Sequence, residues 1–293
     1  MKGIILSGGS GTRLYPLTTM VNKQLLPVYD KPMVYYPLTT LLNFGIREIL
    51  LISSPEYIGF YQNLLGNGNK WGISIQYKVQ EKPKGLAQSL ILAEEFLEGQ
   101  SSCLILGDNI FHGNINTYLS DDKRNFGLDV FGAAVFGYEV KDPERYGVVE
   151  FDNKESAYRK VVSLEEKPKE PKSKYAVPGL YFFNNKASEY AKTLKPSSRG
   201  ELEIVDLLKI YLDRGDLSVE LMRKNVVWLD AGTPTSLFQA SAYIQTIQER
   251  QGIMIGSYEE VCLKNEFISK ERFKEAVETL PKCEYRSYLE RLV

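Results

Sequence analysis

The chain has 293 residues, 43% of them hydrophobic and 25% charged, which excludes a disordered or fibrous polymer and predicts a compact body able to bury its own interior. Its 36 Lys and Arg against 37 Asp and Glu leave a formal net charge of -1, so there is no general field for a nucleic-acid backbone and any polyanion binding must be local. Cys103, Cys262 and Cys283 are far apart and form no CxxC pair, which excludes zinc ligation of the usual spacing and predicts reduced thiols in a cytoplasmic protein.

In chain order, MKGIILSGGSGTR opens on an apolar run too short for a signal-peptide core or a membrane span, so no membrane association is expected. Strand-length apolar runs follow at GIILS (3–7), EILLIS (48–53), ISIQYKV (73–79) and CLILG (103–107), with helix-like stretches at 33–44, 57–65 and 86–97 between them. Alternation of this kind predicts an α/β fold: a mainly parallel, Rossmann-like twisted sheet with helices on both faces. From Asp129 the rhythm changes. DVFGAAVFGYEV, YGVVEFD, YRKVVSLEEK and AVPGLYFF read as successive strands of a β-rich insertion, partly antiparallel, with DNKES as a hairpin turn. Glu201 to Asp213 then places Leu202, Val205, Leu208 and Leu212 on one helical stripe, and helices dominate after Pro234. No repeat is visible, and EKPKEPKSK is too short to separate domains. The expected organisation is a core over 1–252 and a C-terminal helical appendage over 253–293.

The first strand runs directly into GGSGTRL, which puts Gly8, Gly9 and Gly11 at a strand's carboxyl end, where open parallel sheets bind ligands. Glycines let a backbone approach an anion closely, and Arg13 adds a forked donor for phosphate oxygens. A Walker A loop would need Lys where Thr12 stands, and a dinucleotide fingerprint starting at Gly9 would need a small residue at Leu14, so a P-loop enzyme and a dehydrogenase are both excluded. A glycine-rich strand exit can equally be a bare tight turn. Lys23, just before QLLPV, supplies a second cation near that turn, and two cations have a purpose where two phosphate groups must meet against their mutual repulsion.

Asp108 follows CLILG and Asp230 follows VVWL, each an acid at the end of an apolar run, with Ala231 and Gly232 behind the second. Either can be a turn former; together they can also converge on one Mg2+, which takes a couple of carboxylates plus substrate phosphates. His112 is the chain's single histidine, the one possible imidazole base, and reads as an ordinary surface or packing residue.

GGSGTRLYPLT and NKQLLPV closely resemble the signature of sugar-1-phosphate nucleotidylyltransferases. ERYGVVEFD, SLEEKP, AVPGLYFF, GELEIVDL and WLDAGT continue the likeness, in order, to the glucose-1-phosphate thymidylyltransferases among them. The likeness runs from Lys2 to Gly252 and weakens after that. It implies that Gly8, Gly9, Ser10, Gly11, Thr12 and Arg13 hold the triphosphate, with Gln24 beside them, and that Gln80 and Gly85 read the pyrimidine. It implies that Lys23 and Lys167 serve the reacting phosphates, that Asn109, Gly147, Glu166 and Val177 meet the sugar, and that Asp108 and Asp230 hold Mg2+. The expected reaction joins dTTP to glucose 1-phosphate, as the first step of a dTDP-L-rhamnose type pathway. A homotetramer is expected, with feedback by dTDP-rhamnose at a site bordered by the tail, where Tyr258, Phe267, Phe273, Tyr285 and Tyr288 supply either aromatic surface or ordinary helix packing. Two alternatives remain open. Thymine and uracil differ by one methyl, worth ~1–3 kcal/mol in a fitted pocket, so UTP could be preferred, and a non-catalytic nucleotide-sugar sensor could use the same fold.

Overall fold

The computed structural model describes residues 1–9, 11–115, 131–152 and 161–293. Ser10, the DNKES turn beyond Asp152, and the first residues of DVFGAAVFGYEV and YRKVVSLEEK lie outside them. In chain order the elements are β1 (Lys2–Leu6), β2 (Pro27–Val28), β3 (Lys31–Pro32), α1 (Tyr35–Asn43), β4 (Glu48–Ser53), α2 (Ile58–Leu65) and β5 (Ser74–Val79). Then come α3 (Gln88–Leu92), α4 (Glu94–Leu97), β6 (Ser102–Leu106), β7 (Asn109–His112), β8 (Ala133–Glu139), β9 (Gly147–Phe151), β10 (Val161–Glu166), β11 (Tyr175–Ala176) and β12 (Leu180–Phe183). Last are α5 (Ala187–Thr193), α6 (Ile204–Asp213), β13 (Leu217–Leu221), β14 (Val227–Asp230), α7 (Pro234–Gln251), α8 (Tyr258–Lys264), α9 (Lys270–Glu278) and α10 (Glu284–Glu290).

The chain forms two compact units. The first comprises Lys2–Glu81, Leu106–His112 and Leu229–Val293; the second comprises Met1, Lys82–Ile105 and Gly113–Trp228. In the first, β1, β4 and β5 are parallel, with Gly3 opposite Ile49 and Glu48 opposite Ser74. Every residue of β1 is buried, as is all of β4 after Glu48, which explains their unbroken apolar runs: a parallel strand covered on both faces has no polar side to show. α1 is buried almost all round, from Tyr36 to Leu42, and packs against β1, β7 and α8.

α7 starts with a capping box between Thr233 and Ser236 and a proline at its first turn, and it ends where Gly252 turns left-handed at φ 65°. The helices beyond Gly252, expected as an appendage, belong to this first compact unit. Tyr258, Phe273 and Tyr288 are buried there, and the Trp71 ring lies 5.8 Å from Phe273 and 6.3 Å from Tyr258. Packing, not open aromatic surface, is therefore the role of those three rings.

In the second unit β12 lies between β6 and β8 and is antiparallel to both, β11 joins β8 to β9, β10 pairs β9, and β13 runs parallel to β8. Three details depart from the sequence reading. AVPGLYFF is two strands, because Pro178 has no N–H to give a ladder and the pairing stops around it. The 86–97 helix is two short ones, α3 and α4, interrupted at Ala93, for which the structure offers no physical account. α6 starts at Ile204 and buries Ile204, Val205, Leu207, Leu208 and Tyr211, so Leu202 precedes the helix and Leu212 is only half-buried. Among the described residues no helix is long and apolar enough to cross a membrane.

Glu259 is 3% exposed in α8. Burial pushes its carboxyl up to about 7, against the pull of hydrogen bonds from Tyr285 and Tyr258 and the charge of Lys31. Between the unfolded value near 4.5 and about 7 the folded chain holds one proton more than the unfolded chain, so this residue lowers stability as pH rises through that window. Glu259→Gln removes the charge and keeps an acceptor for Tyr285. Measured by denaturant unfolding, the variant should gain on the parent as pH goes from 5 to 8, by roughly 2–3 kcal/mol. A pH-independent difference would mean that Glu259 is ionised in the folded chain throughout.

Candidate nucleotide and sugar-phosphate sites

The first unit gathers most of the proposed triphosphate side. The strand end is fixed by the Ser7 amide donating to Ile52 O at 2.8 Å and the Gly107 amide donating to Leu6 O at 2.9 Å. Gly9 and Gly11 then take φ of 100° and 61°, the left-handed region that favours glycine, and Thr12–Leu14 close a 3-10 turn that presents Arg13 at the surface. Thr18 Oγ1 donates to Gly11 O at 2.9 Å and pins the loop from outside. A side chain at Gly8 would lie 2.5 Å from Gln80 Oε1, so the bare backbone at Gly8 is what lets the buried Gln80 amide sit against the loop.

Asn22 Oδ1 caps the Lys23–Leu25 turn by accepting from Gln24 N at 3.1 Å, and it also accepts from Tyr61 Oη at 2.7 Å. Gln24 is buried. Its Nε2 donates to Gly8 O at 3.2 Å, while its Oε1 has no hydrogen-bond partner among the described residues. Lys23, also buried, donates from Nζ to Asp108 Oδ2 in an ion pair. Asn109 Nδ2 donates to Asp108 Oδ1 at 2.9 Å. Burial alone would raise the Asp108 carboxyl, but the Lys23 charge and the hydrogen bonds from Lys23 and Asn109 outweigh it and hold the group below its ordinary value.

Asp230 ends β14, and the next amide, that of Ala231, donates to Asp108 O at 3.2 Å, which ties the two acid-bearing turns together through the backbone. Asp108 and Asp230 offer hard carboxylate oxygens of the kind Mg2+ takes beside substrate phosphates. Among the described residues no three acids, histidines or cysteines gather into a cage, and a cation completed by phosphate oxygens requires none.

Under these turns lies one apolar cluster that includes Leu14, Leu26, Val28, Met33, Tyr36, Ile110, Ala231, Leu237 and Ile244. His112 Nδ1 is 2.7 Å from Tyr243 Oη, and burial lowers the histidine's pKa.

The second unit holds the proposed sugar side apart from Asn109. Gly147 is opposite Glu166 in the β9–β10 ladder, and the Val177 amide donates to Gly147 O at 2.8 Å. A side chain on Gly147 would meet Val205 at 3.0 Å and Glu166 Oε2 at 3.5 Å, so little room is left there. Lys167 has φ 45°, its amide donates to Tyr146 O at 2.9 Å, and its half-exposed ammonium is 3.5 Å from Glu166 Oε1. Gly85, at φ 99°, lies against the Leu202 backbone, and Leu202 N donates to Lys84 O at 2.7 Å. Sequence reading passed over Arg199, whose Nη2 donates to Glu166 Oε1 at 3.3 Å and to Glu203 Oε2 at 2.8 Å. Its only signal was the arginine just before GELEIVDL, which no local pattern distinguishes from a surface charge.

Gly8, Gly9, Gly11, Thr12, Arg13, Lys23, Gln24, Gln80, Asp108, Asn109 and Asp230 thus lie in the first unit, and Gly85, Gly147, Glu166, Lys167 and Val177 in the second. Residues 2–247 match the family model described as nucleotidyl transferase. The glucose-1-phosphate thymidylyltransferase of Xanthomonas campestris pv. campestris (strain B100) is 52% identical over 291 residues, covering 99% of this chain and 96% of that protein. Its namesake from Neisseria meningitidis serogroup A is 52% identical over 293 residues, covering 100% and 99%. A solved structure from Bacillus anthracis, named as a glucose-1-phosphate thymidylyltransferase and determined with sucrose, matches with a TM-score of 0.77 at 43% identity, covering 89% of this chain and 99% of that one. A UDP-glucose pyrophosphorylase bound to UDP-glucose, at 21% identity and a TM-score of 0.72 over 84% of this chain and 98% of its own, shares the fold. The chain belongs to the nucleotidyl transferase family.

Proposed function

We propose that this enzyme transfers a thymidylyl group from dTTP to α-D-glucose 1-phosphate, giving dTDP-glucose and pyrophosphate. The observation that carries the reading is the full-length identity of 52% to proteins named for that activity. A phosphate oxygen of the sugar phosphate attacks the α-phosphorus in line, the bond from that phosphorus to the bridging oxygen breaks, and pyrophosphate leaves with the electron pair. No proton has to be removed from the nucleophile, so catalysis is positioning and charge neutralisation.

Backbone amides of the glycine loop and the Arg13 guanidinium hold the triphosphate, with Arg13 meeting charge that grows on the departing pyrophosphate. Gln80 and Gly85 read the pyrimidine edge, and Gln24 brings an acceptor beside the loop. Lys23 stands where the reacting phosphates meet. Lys167 holds the sugar phosphate, and Asn109, Gly147, Glu166 and Val177 meet the sugar. Mg2+ would be held by Asp108 and Asp230 and would supply further neutralisation of phosphate charge. The same reading makes the protein a cytoplasmic homotetramer that opens a dTDP-L-rhamnose type pathway, with feedback by dTDP-rhamnose at a site bordered by the C-terminal helices.

Pyrophosphate release measured across four nucleoside triphosphates and several hexose 1-phosphates tests the reaction, with dTTP and glucose 1-phosphate expected to give the highest kcat/KM. Asp108→Asn and Asp230→Asn should each keep the fold and lower kcat by about 10²- to 10³-fold. Near-normal turnover of the double variant in saturating Mg2+ would remove the acids from the reaction. Arg13→Ala should act mainly on kcat and Lys167→Ala mainly on KM for the sugar phosphate. If both variants change both constants alike, the two cations do not serve opposite ends of the transfer.

A further inference from the structure

We propose that Gly232 is a positioning residue for this reaction: the absence of a side chain there is what allows the Asp230 carboxylate and the Arg13 guanidinium to border one small space at the end of β14. A Cβ built on Gly232 would fall 2.6 Å from Asp230 Oδ1, 3.4 Å from Asp230 Cγ and 3.4 Å from Arg13 Nη2. Those two side chains start 217 residues apart in the sequence and converge on the one position between Ala231 and Thr233 that carries no atoms beyond its backbone. The proposal rests on the roles given above to Asp230 and Arg13 and adds the residue that sets their separation.

Backbone strain is not the reason for glycine here. Unlike Gly9 and Gly11, Gly232 does not have a left-handed φ, so alanine could adopt the same backbone. Space is the reason. The neighbours on both sides cannot slide to make room: Ala231 is fully buried and its amide is bonded to Asp108 O, while Thr233 is locked into the cap of α7 with Ser236. What yields to a methyl group is therefore the Asp230 side chain, which must move about 0.8 Å to reach ordinary contact. Moving the end of one partly exposed side chain costs the fold little. A reacting constellation is less tolerant, because a displacement near 1 Å can lower turnover about 100-fold.

The test is Gly232→Ala, with Asp230→Ala and the double variant Asp230→Ala/Gly232→Ala measured beside it. Gly232→Ala should melt within about 2 °C of the parent, lower kcat by about 10- to 100-fold and leave KM for glucose 1-phosphate within about 2-fold. A crystal structure of the variant should show the Asp230 carboxylate displaced and the backbone unmoved. In the Asp230→Ala background the methyl has nothing left to push, so adding Gly232→Ala should cost less than about 2-fold more. Full turnover of Gly232→Ala, while Asp230→Ala is crippled, overturns this proposal alone. Full turnover of Asp230→Ala overturns the role of Asp230 and the proposal with it. An undiminished loss from Gly232→Ala in the double variant would show that the methyl acts on something other than Asp230. A Gly232→Ala chain that does not fold, while the double variant melts normally, would make the glycine structural and also overturn the positioning role.

Discussion

The polar residues of the first unit are held in place by the apolar cluster beneath them. Each turn that carries proposed site residues has a neighbour in that cluster: Leu14 follows Arg13, Leu26 and Val28 follow Lys23 and Gln24, Ile110 follows Asp108 and Asn109, and Ala231 follows Asp230. Four stretches of sequence that are remote from one another are thereby fixed to one floor. Each fully buried aliphatic side chain contributes about 1.5–3 kcal/mol by leaving water, so the floor supplies the stability. The Lys23–Asp108 pair contributes little of its own, because desolvating two charges costs about what their attraction returns. Its value is that the Lys23 and Asp108 side chains are oriented against each other where phosphates are proposed to arrive.

Much of the fold could be read from the sequence because burial leaves a mark on strands. β1 and β4 are buried on both faces and show it as unbroken aliphatic runs, and the second half shows its antiparallel ladders as strand after strand with no helix between. The details that escaped are those where tertiary contact decides. Leu212 has the right spacing for a buried stripe, yet the core is on the side of Ile204, Leu207 and Tyr211. Tyr258, Phe273 and Tyr288 could equally have faced solvent or packed inward until Trp71 was seen against two of them.

The site shows the same division. Gly9 and Gly11 carry their reason in the chain itself, since a turn of this kind needs left-handed residues. Gly8 does not: its reason is Gln80, a side chain that arrives from elsewhere in the sequence. Arg199 was missed for the same cause, as its meaning comes from Glu166 and Glu203 around it.

The distribution of charge also bears on where pH can act. Asp108 is held below the ordinary carboxylate value by Lys23 and Asn109, and burial lowers His112. Glu259 is instead raised to about 7. It sits in α8, which packs on α1, away from the glycine loop in sequence and joined to the site's unit through the core rather than through the reacting groups. The proposed transfer, which needs no proton removed from its nucleophile, gains nothing from a base titrating near 7 among the phosphates. The group that does titrate there lies among the C-terminal helices, so neutral pH should register in how firmly those helices are held more than in the transfer itself.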